Sequence, residues 1–350
     1  MNDLTTSQRI EYIDSLKGFL ILSVVMCHVS GYCLNIQADI PTYQFILFEF
    51  RNPPFFFISG FLAYKAYVTW DITTTLNLIK KKIISVLWPT IIFTAILLYI
   101  HPSYKGYSFL NHSITDIWIY WFTLSLFLFF FLYYFLESCM VFIKSEKTKS
   151  FILLIIGLFF YCLFFINSIY ESLPFSNNVK HLFGMGYWGY FFFFSIGVLA
   201  RKHNTLFRIA LDNIYALGTC ILLFIVMNIF NVPLRENHYN LFRITTYLTG
   251  IILVFSFFRT YPLHRLLKKS FVITGKRTLD IYLIHYFFLP LSLIDYSYFL
   301  HSSPMPLIEF TITLFLSIII IVLSLLVSYI IRLNPISSSF FFGIKPMQKT

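Results

Sequence analysis

The chain has 350 residues, of which 58% are hydrophobic and 12% are charged. Soluble domains usually carry about 25% charged residues, so this composition excludes an ordinary soluble protein and predicts an all-α integral membrane protein. The formal net charge of +11 comes largely from basic residues that are concentrated in every second loop. This distribution argues against a nucleic-acid partner and for a protein embedded in a lipid bilayer.

Apolar runs long enough to cross a bilayer recur throughout the chain. They predict about ten transmembrane helices, with a count open from about nine to eleven, at residues 18–36, 43–67, 84–100, 117–143, 151–168, 186–200, 208–230, 240–258, 278–300 and 307–332. We expect a single transmembrane domain over residues 1–350, with an N-terminal segment at 1–17 and a C-terminal tail at 333–350.

Basic residues are concentrated in one set of loops. That set holds Arg9, Lys17, Lys80, Lys81, Lys82, Lys144, Lys147, Lys149, Arg201, Lys202, Arg259, Arg265, Lys268, Lys269, Lys276, Arg277, Lys345 and Lys349. The alternate loops hold little beyond Lys105, Lys180 and Arg235. By the positive-inside rule, both termini are predicted to be cytoplasmic.

The first apolar segment contains an ionisable residue at membrane depth. His28 follows Lys17 by about 16 Å of helix, roughly half of the hydrocarbon core, and returns to within about 20° of the same face. An ionisable group at that depth indicates a functional site, although a histidine hydrogen-bonded between helices is the alternative. Asp14 fits an ion pair with Lys17, while Lys17 and Arg9 also fit simple interfacial cations.

The second apolar segment carries Glu49 and Arg51 just before Pro53 and Pro54. The prolines are expected to break the helix, which is tolerated where the backbone faces protein or a watery cavity. Arg51 is therefore predicted to line a cavity and to bind an acceptor or a developing oxyanion. An internal Glu49–Arg51 pair is the alternative.

Later segments add further candidates. Lys82 closes a basic run that could set topology or hold phosphates. Asp280 and His285 lie about 140° apart on a helix and so do not share a face; for His285, structural hydrogen bonding remains open. Glu137 and Arg243 are intramembrane charges without an assigned role. The cysteines and histidines lack metal-ligand spacing, so no metal site is predicted.

Four stretches resemble the membrane-bound acyltransferase-3 family, the O-acyltransferases of bacterial surface sugars. They are RIEYIDSLKGFLILSVVMCH at 9–28, NPPFFFISGFL at 52–62, KKKIISVLWP at 80–89 and TGKRTLDIYLIH at 274–285, in the family's order. The matching residues of the first stretch are Arg9, Asp14, Lys17, Gly18 and His28. Departures from the family pattern occur at Asn52, Pro54, Ser85 and Thr278.

The resemblance implies a membrane enzyme of the O-acetyltransferase kind in the inner (cytoplasmic) membrane. It implies catalytic roles for His28 and Asp14, and substrate or donor binding by Lys17, Arg9, Lys82, Arg51 and His285. The implied donor is acetyl-CoA or another acyl-CoA, entering from the cytosol as a co-substrate with no bound cofactor. The implied acceptor is a sugar hydroxyl of a surface polysaccharide or of its lipid-linked precursor.

The role expected of His28 follows from the chemistry of that acceptor. A hydroxyl is a poor nucleophile near neutral pH and needs a base, and an imidazole with an ordinary pKa of about 6.5 suits the task. The competing hypothesis is a transporter or flippase with a buried His, Arg and Glu site for substrate or protons. Paired halves with matching broken helices would favour transport, and the sequence displays no such pairing.

Overall fold

The computed structural model describes residues 11–34, 43–100, 119–169, 185–231, 241–261, 263–296 and 306–343, which are mainly helical and include no strand. The α-helices are α1 (Glu11–His28), α2 (Tyr43–Ala63), α3 (Ile72–Lys82), α4 (Trp88–Ile100), α5 (Trp121–Cys139), α6 (Glu146–Ile169), α7 (Met185–Trp188), α8 (Phe191–Lys202), α9 (Asn204–Asp212), α10 (Ile214–Asn231), α11 (Leu241–Thr260), α12 (Arg265–Lys276), α13 (Thr278–Ile284), α14 (Pro306–Leu333) and α15 (Pro335–Phe342). The predicted all-α membrane architecture is thus confirmed for these residues.

Helix α1 lies at the centre of the bundle. It packs against α2, α11, α12, α13 and α14. Among the helices long and apolar enough to span a membrane, 67% of the apolar stretch of α1 is buried in protein, against 33% in the α3–α4 unit and 28% in α14. The helix that carries His28 is therefore largely enclosed by protein, whereas most residues of α14 are partly or fully exposed.

Four helical units of the described residues are long and apolar enough to cross a membrane: Glu11–Cys33, Ile72–Ile100, Trp121–Phe142 and Leu307–Leu333. A fifth is obtained if α9 and α10, which meet at 76°, count as one span. The predicted segment 208–230 bends there because Asn213 starts a new helix: its side chain accepts the backbone N–H of Tyr215 at 2.9 Å. The full count of ten stays a prediction.

Two π-helical turns extend α1 and join α3 to α4. Val29–Cys33 follows His28, and Ile83–Leu87 follows Lys82. The lysine run at 80–82 therefore lies inside a continuous helical unit, Ile72–Ile100, and not in a loop before a span at 84–100. Single π-helical turns occur frequently at functional sites, and here each begins directly after a candidate site residue.

The expected break in α2 is wrong, because the helix continues through Pro53 and Pro54. Its packing on α8 is close: a Cβ on Gly60 would overlap the Phe194 carbonyl oxygen, and one on Gly197 would overlap that of Phe57. Membrane helices tolerate proline where neighbouring helices support them. Gly60 therefore serves the close packing of α2 on α8.

The predicted span at 278–300 is also interrupted. Helix α13 ends at Ile284 and is followed by 3-10 turns at His285–Phe288 and Leu291–Tyr296. Pro290 has no N–H and its ring clashes with a continuing helix. The Leu283 carbonyl accepts a hydrogen bond from the hydroxyl of Tyr120 at 2.6 Å. This interruption turns His285 toward α1.

The predicted C-terminal tail is partly helical. Within α15, the Phe340 carbonyl accepts the indole N–H of Trp88 in α4 at 2.7 Å, and the ring of Phe342 is buried against Phe93. Residues 335–342 are therefore packed onto the bundle.

Candidate functional site

The motif glycine of α1 allows a close approach to α12. A Cβ on Gly18 would overlap the Phe271 carbonyl oxygen, and a Cβ on Gly275 would overlap the Asp14 carbonyl oxygen. Each helix thus needs glycine opposite the other's backbone. This contact fixes the turn of α1 that carries Asp14 and Lys17.

Asp14 and Lys17 form an ion pair on this turn. The Lys17 ammonium lies 2.9 Å from the Asp14 carboxylate, whose side chain is only 4% exposed. The pair confirms the expected i, i+3 contact. It places Asp14 and Lys17 near the start of α1, at the opposite end of the helix from His28. Asp14 is therefore placed to orient the lysine, because about 21 Å of helix separates Asp14 from His28.

Lys17 and Lys82 line one cavity of about 260 Å³. Its other lining residues are mostly apolar: Ile21, Val24, Asn52, Phe55, Ile58, Ser59, Leu62, Val86, Phe122, Thr123, Leu126, Phe130, Thr278, Leu279 and Tyr282. The Lys82 ammonium lies 3.5 Å from the centre of the Phe130 ring, a cation–π contact. Two candidates separated widely in sequence thus meet in one chamber.

The cavity follows two helix faces toward His28. On α1 it is lined by Lys17, Ile21 and Val24, and the next residue on that face, one turn further, is His28. On α13 it is lined by Thr278, Leu279 and Tyr282, and the ring centres of Tyr282 and His285 are 5.9 Å apart. The cavity therefore has Lys17 and Lys82 at one end. At the other end its lining stops one helical turn short of His28 and His285, neither of which lines it.

His28 and His285 contact each other directly. The Nδ1 atom of His28 lies 2.7 Å from the Nε2 atom of His285, and the rings are nearly parallel, with an interplanar angle of 9°. His285 is fully buried, with Nδ1 3.1 Å from the Ile281 carbonyl oxygen. His28 is half-buried.

Tyr286 lies on the other side of His28. Its hydroxyl is 3.5 Å from His28 Nε2 and donates to the Ile119 carbonyl at 3.3 Å. The Tyr120 hydroxyl also donates to the carbonyl of Leu283 in α13. Together the two hydrogen bonds hold the end of α13, and the turn after it, against the residues that precede α5. The sequence analysis did not identify Tyr286 or Tyr120. The one signal in the sequence was that Tyr286 directly follows the candidate residue His285.

Arg51 belongs to the surroundings of His28. The positive charge of its guanidinium acts on Cys27, His28, Tyr187 and Tyr282. It does not line the 260 Å³ cavity. Its predicted roles in lining a cavity and in stabilising an oxyanion stay predictions. The Glu49 side chain, the proposed partner, lies outside the described residues.

Asp280 serves a separate contact. Its carboxylate accepts two hydrogen bonds from the Arg332 guanidinium, both at 2.8 Å, and a further one from Ser328. This links α13 to α14 and confirms that Asp280 and His285 point to different neighbours. Arg332, in the last turn of α14, was not identified from the sequence because no local pattern relates it to Asp280.

Of the site residues suggested by the sequence, the structure brings Lys17 and Lys82 together in the cavity and His28 and His285 together beyond it. Arg51 lies beside His28, and Asp14 reaches the site through Lys17. Arg9 lies outside the described residues. The predicted site thus occupies two adjoining regions.

The family comparison covers this whole arrangement. A family model described as an acyltransferase domain, of the acyltransferase-3 type, matches residues 10–333. Separate comparisons with curated proteins and with solved structures find no match. Since the match includes nearly every helix described above and both histidines, the chain belongs to the acyltransferase-3 family.

Proposed function

We propose that this protein is a membrane O-acyltransferase that moves an acyl group, acetyl in the first instance, from acyl-CoA to a sugar hydroxyl. The acceptor is a surface polysaccharide or its lipid-linked precursor. One observation carries the proposal: a cavity lined by Lys17 and Lys82 ends, on both α1 and α13, one helical turn from the His28–His285 pair. Family membership supports acyl transfer as the reaction class.

The cavity suits the thioester arm of the donor better than the whole donor. Its volume of about 260 Å³ is just below the range of about 300–1,000 Å³ typical of small-molecule sites. The phosphate-bearing nucleotide would therefore lie outside, near Lys17 and Lys82, whose ammonium groups attract phosphates. The apolar walls would hold the arm, with its acyl group directed toward His28.

In the proposed reaction, His28 acts as a general base. It takes the proton of the acceptor hydroxyl as the oxygen attacks the thioester carbonyl carbon. The tetrahedral intermediate collapses, the carbon–sulfur bond breaks, and His28 returns the proton to the departing thiolate. The Arg51 guanidinium, whose positive charge acts on His28, is assigned the stabilisation of the oxyanion that forms between these steps.

We propose that the donor enters from the cytosol. The lysine end of the cavity is the end at which Glu11 of α1 pairs with Lys268 of α12 at 3.1 Å, in a strongly basic region. The positive-inside rule favours the cytoplasm for such a region. The acceptor would reach His28 from the opposite side, in the inner membrane of a bacterium.

The test is mass spectrometry of surface glycans from cells with the gene, without it, and with the His28→Gln variant restored. The proposal expects one acetyl group per modified unit with the wild-type gene and none in the other two strains. An unmodified glycan in all strains, together with transmembrane movement of a sugar lipid that depends on the gene, would instead indicate transport.

A further inference from the structure

We infer that His285 is a positioning residue that fixes the tautomer of His28, so that Nε2 of His28 is the basic atom. This inference rests on the proposed function, in which His28 is the base, and goes beyond it by assigning the proton on each ring nitrogen. It follows from a chain of contacts that begins at the Ile281 carbonyl and ends at Tyr286.

The first contact sets the tautomer of His285. Its Nδ1 lies 3.1 Å from the Ile281 carbonyl oxygen, and a carbonyl oxygen can only accept. Nδ1 of His285 therefore carries a proton. A fully buried imidazole at membrane depth is neutral, because an uncompensated charge there is costly. In the neutral ring the second nitrogen, Nε2, is an acceptor.

The second contact sets the tautomer of His28. Nε2 of His285 lies 2.7 Å from Nδ1 of His28, and two acceptor lone pairs at that distance would repel each other. Nδ1 of His28 must therefore donate its proton to His285. The remaining nitrogen of His28, Nε2, then bears the lone pair that a general base needs.

The third contact preserves that lone pair. The Tyr286 hydroxyl lies 3.5 Å from His28 Nε2, at the limit of a hydrogen bond, and donates instead to the Ile119 carbonyl at 3.3 Å. Its proton is thus directed away from Nε2. A substrate hydroxyl can then donate to Nε2 without competing with the Tyr286 proton.

In the Ser-His-Asp triad a carboxylate orients the catalytic histidine. Here the neutral His285 orients His28 in the same way. When His28 takes a proton at Nε2, its Nδ1–H still donates to His285, which supports the imidazolium while it exists. A carboxylate at the position of His285 would place a full charge at membrane depth. The imidazole pair orients the base without that charge.

The experiment compares His285→Gln with His285→Met in the purified full-length protein. Glutamine offers a carbonyl oxygen that can accept the proton of His28 Nδ1, whereas methionine has a similar length and only a weak acceptor. His285→Met is expected to lower kcat by about 10²-fold or more, within the usual range for loss of a correctly poised base. His285→Gln is expected to retain at least about tenfold more activity than His285→Met. Donor Kd is expected to be unchanged in both, and His264→Gln on the surface serves as the control.

The second readout is the ¹⁵N NMR spectrum of the histidine-labelled protein, with signals assigned through His28→Gln and His285→Gln. Protonated and unprotonated ring nitrogens have well-separated shifts, and both histidines are expected to be protonated at Nδ1. A proton on Nε2 of His28, or equal kcat values for His285→Met and the wild type, would overturn the inference. Nδ1–H on both rings without any acyl transfer by the wild type would leave the tautomer assignment standing and contradict the proposed function instead.

Discussion

At the scale of single residues, variants of two adjacent lysines can distinguish a role in donor binding from a role in membrane topology. Lys82 lines the cavity, whereas Lys81 is exposed and outside it. Both add the same charge to a basic run that the positive-inside rule would count equally. Any difference between their variants therefore reports on the cavity.

We expect Lys82→Gln and Lys17→Gln each to raise the KM for the acyl donor by about tenfold or more. The reason is that a hydrogen bond to a charged phosphate contributes about 1.5–3 kcal/mol, and 1.4 kcal/mol corresponds to tenfold. Lys81→Gln should leave the donor KM unchanged, and the acceptor KM should change little in all three variants. Equal donor KM values for Lys82→Gln and Lys81→Gln, at matched protein folding, would restrict these lysines to a topological role.

At the scale of helices, the contact of α1 with α12 depends on glycine. A Cβ on Gly275 would overlap the Asp14 backbone, while one on Gly218 in α10 meets nothing within 4 Å. The two positions therefore offer a matched pair of glycine-to-alanine substitutions.

Gly275→Ala is expected to lower the free energy of unfolding by about 1–3 kcal/mol through overpacking, and to raise donor KM by displacing the turn that holds Lys17. Gly218→Ala should be neutral or stabilise by up to about 1 kcal/mol, because alanine favours a helix. Thermal unfolding of both variants in one detergent measures the difference. Identical midpoints would contradict the close packing of α1 on α12.

The elements that the sequence could predict are those with a local signal. The apolar run of α1 and the spacing of Lys17 and His28 specify a helix with both residues on one face, and the short ion pair of Asp14 with Lys17 follows from their spacing. Pro290 could have predicted the interruption after α13, but the long apolar run concealed it. Conversely, Pro53 and Pro54 suggested a break that packing of α2 on α8 prevents.

The contacts that define the site were beyond sequence reasoning because they join distant residues. Nothing local relates His28 to His285 or Lys17 to Lys82, and the chain had to be folded before the two regions of the site could be seen as adjoining. The same holds for Arg332 and Asp280. The resemblance to the family identified most of these residues singly, and the structure supplied their pairing.

At the scale of the whole molecule, ion pairs join the helix ends that the charge pattern assigns to one side. Glu11 pairs with Lys268, Glu146 with Lys202 at 2.7 Å, and Arg259 with Asp212 at 2.9 Å. Glu11, Lys268, Glu146, Lys202 and Arg259 fall in or beside segments that the sequence predicts to be cytoplasmic, and Asp212 lies near the start of the predicted span at 208–230. These pairs therefore agree with the predicted topology.

We expect single cysteines introduced at Lys147 and Lys268, in a variant without the native cysteines, to react with a membrane-impermeant reagent only from the cytoplasmic side. A cysteine at Lys180, which lies outside the described residues, should react only from the exterior. Labelling at Lys268 from outside would place the lysine end of the cavity on the extracytoplasmic face and contradict cytosolic donor entry.

The most direct test of the central claim, that His28 is the base of an acyl transfer, is the turnover of purified His28→Gln and His28→Ala, normalised to folded protein. Glutamine can hydrogen-bond to His285 but does not accept a proton at neutral pH. We expect both variants to fold, to bind the acyl donor with wild-type affinity and to lose about 10²–10⁴-fold in kcat. Turnover close to that of the wild type in His28→Gln would show that His28 only connects helices, and would contradict the account.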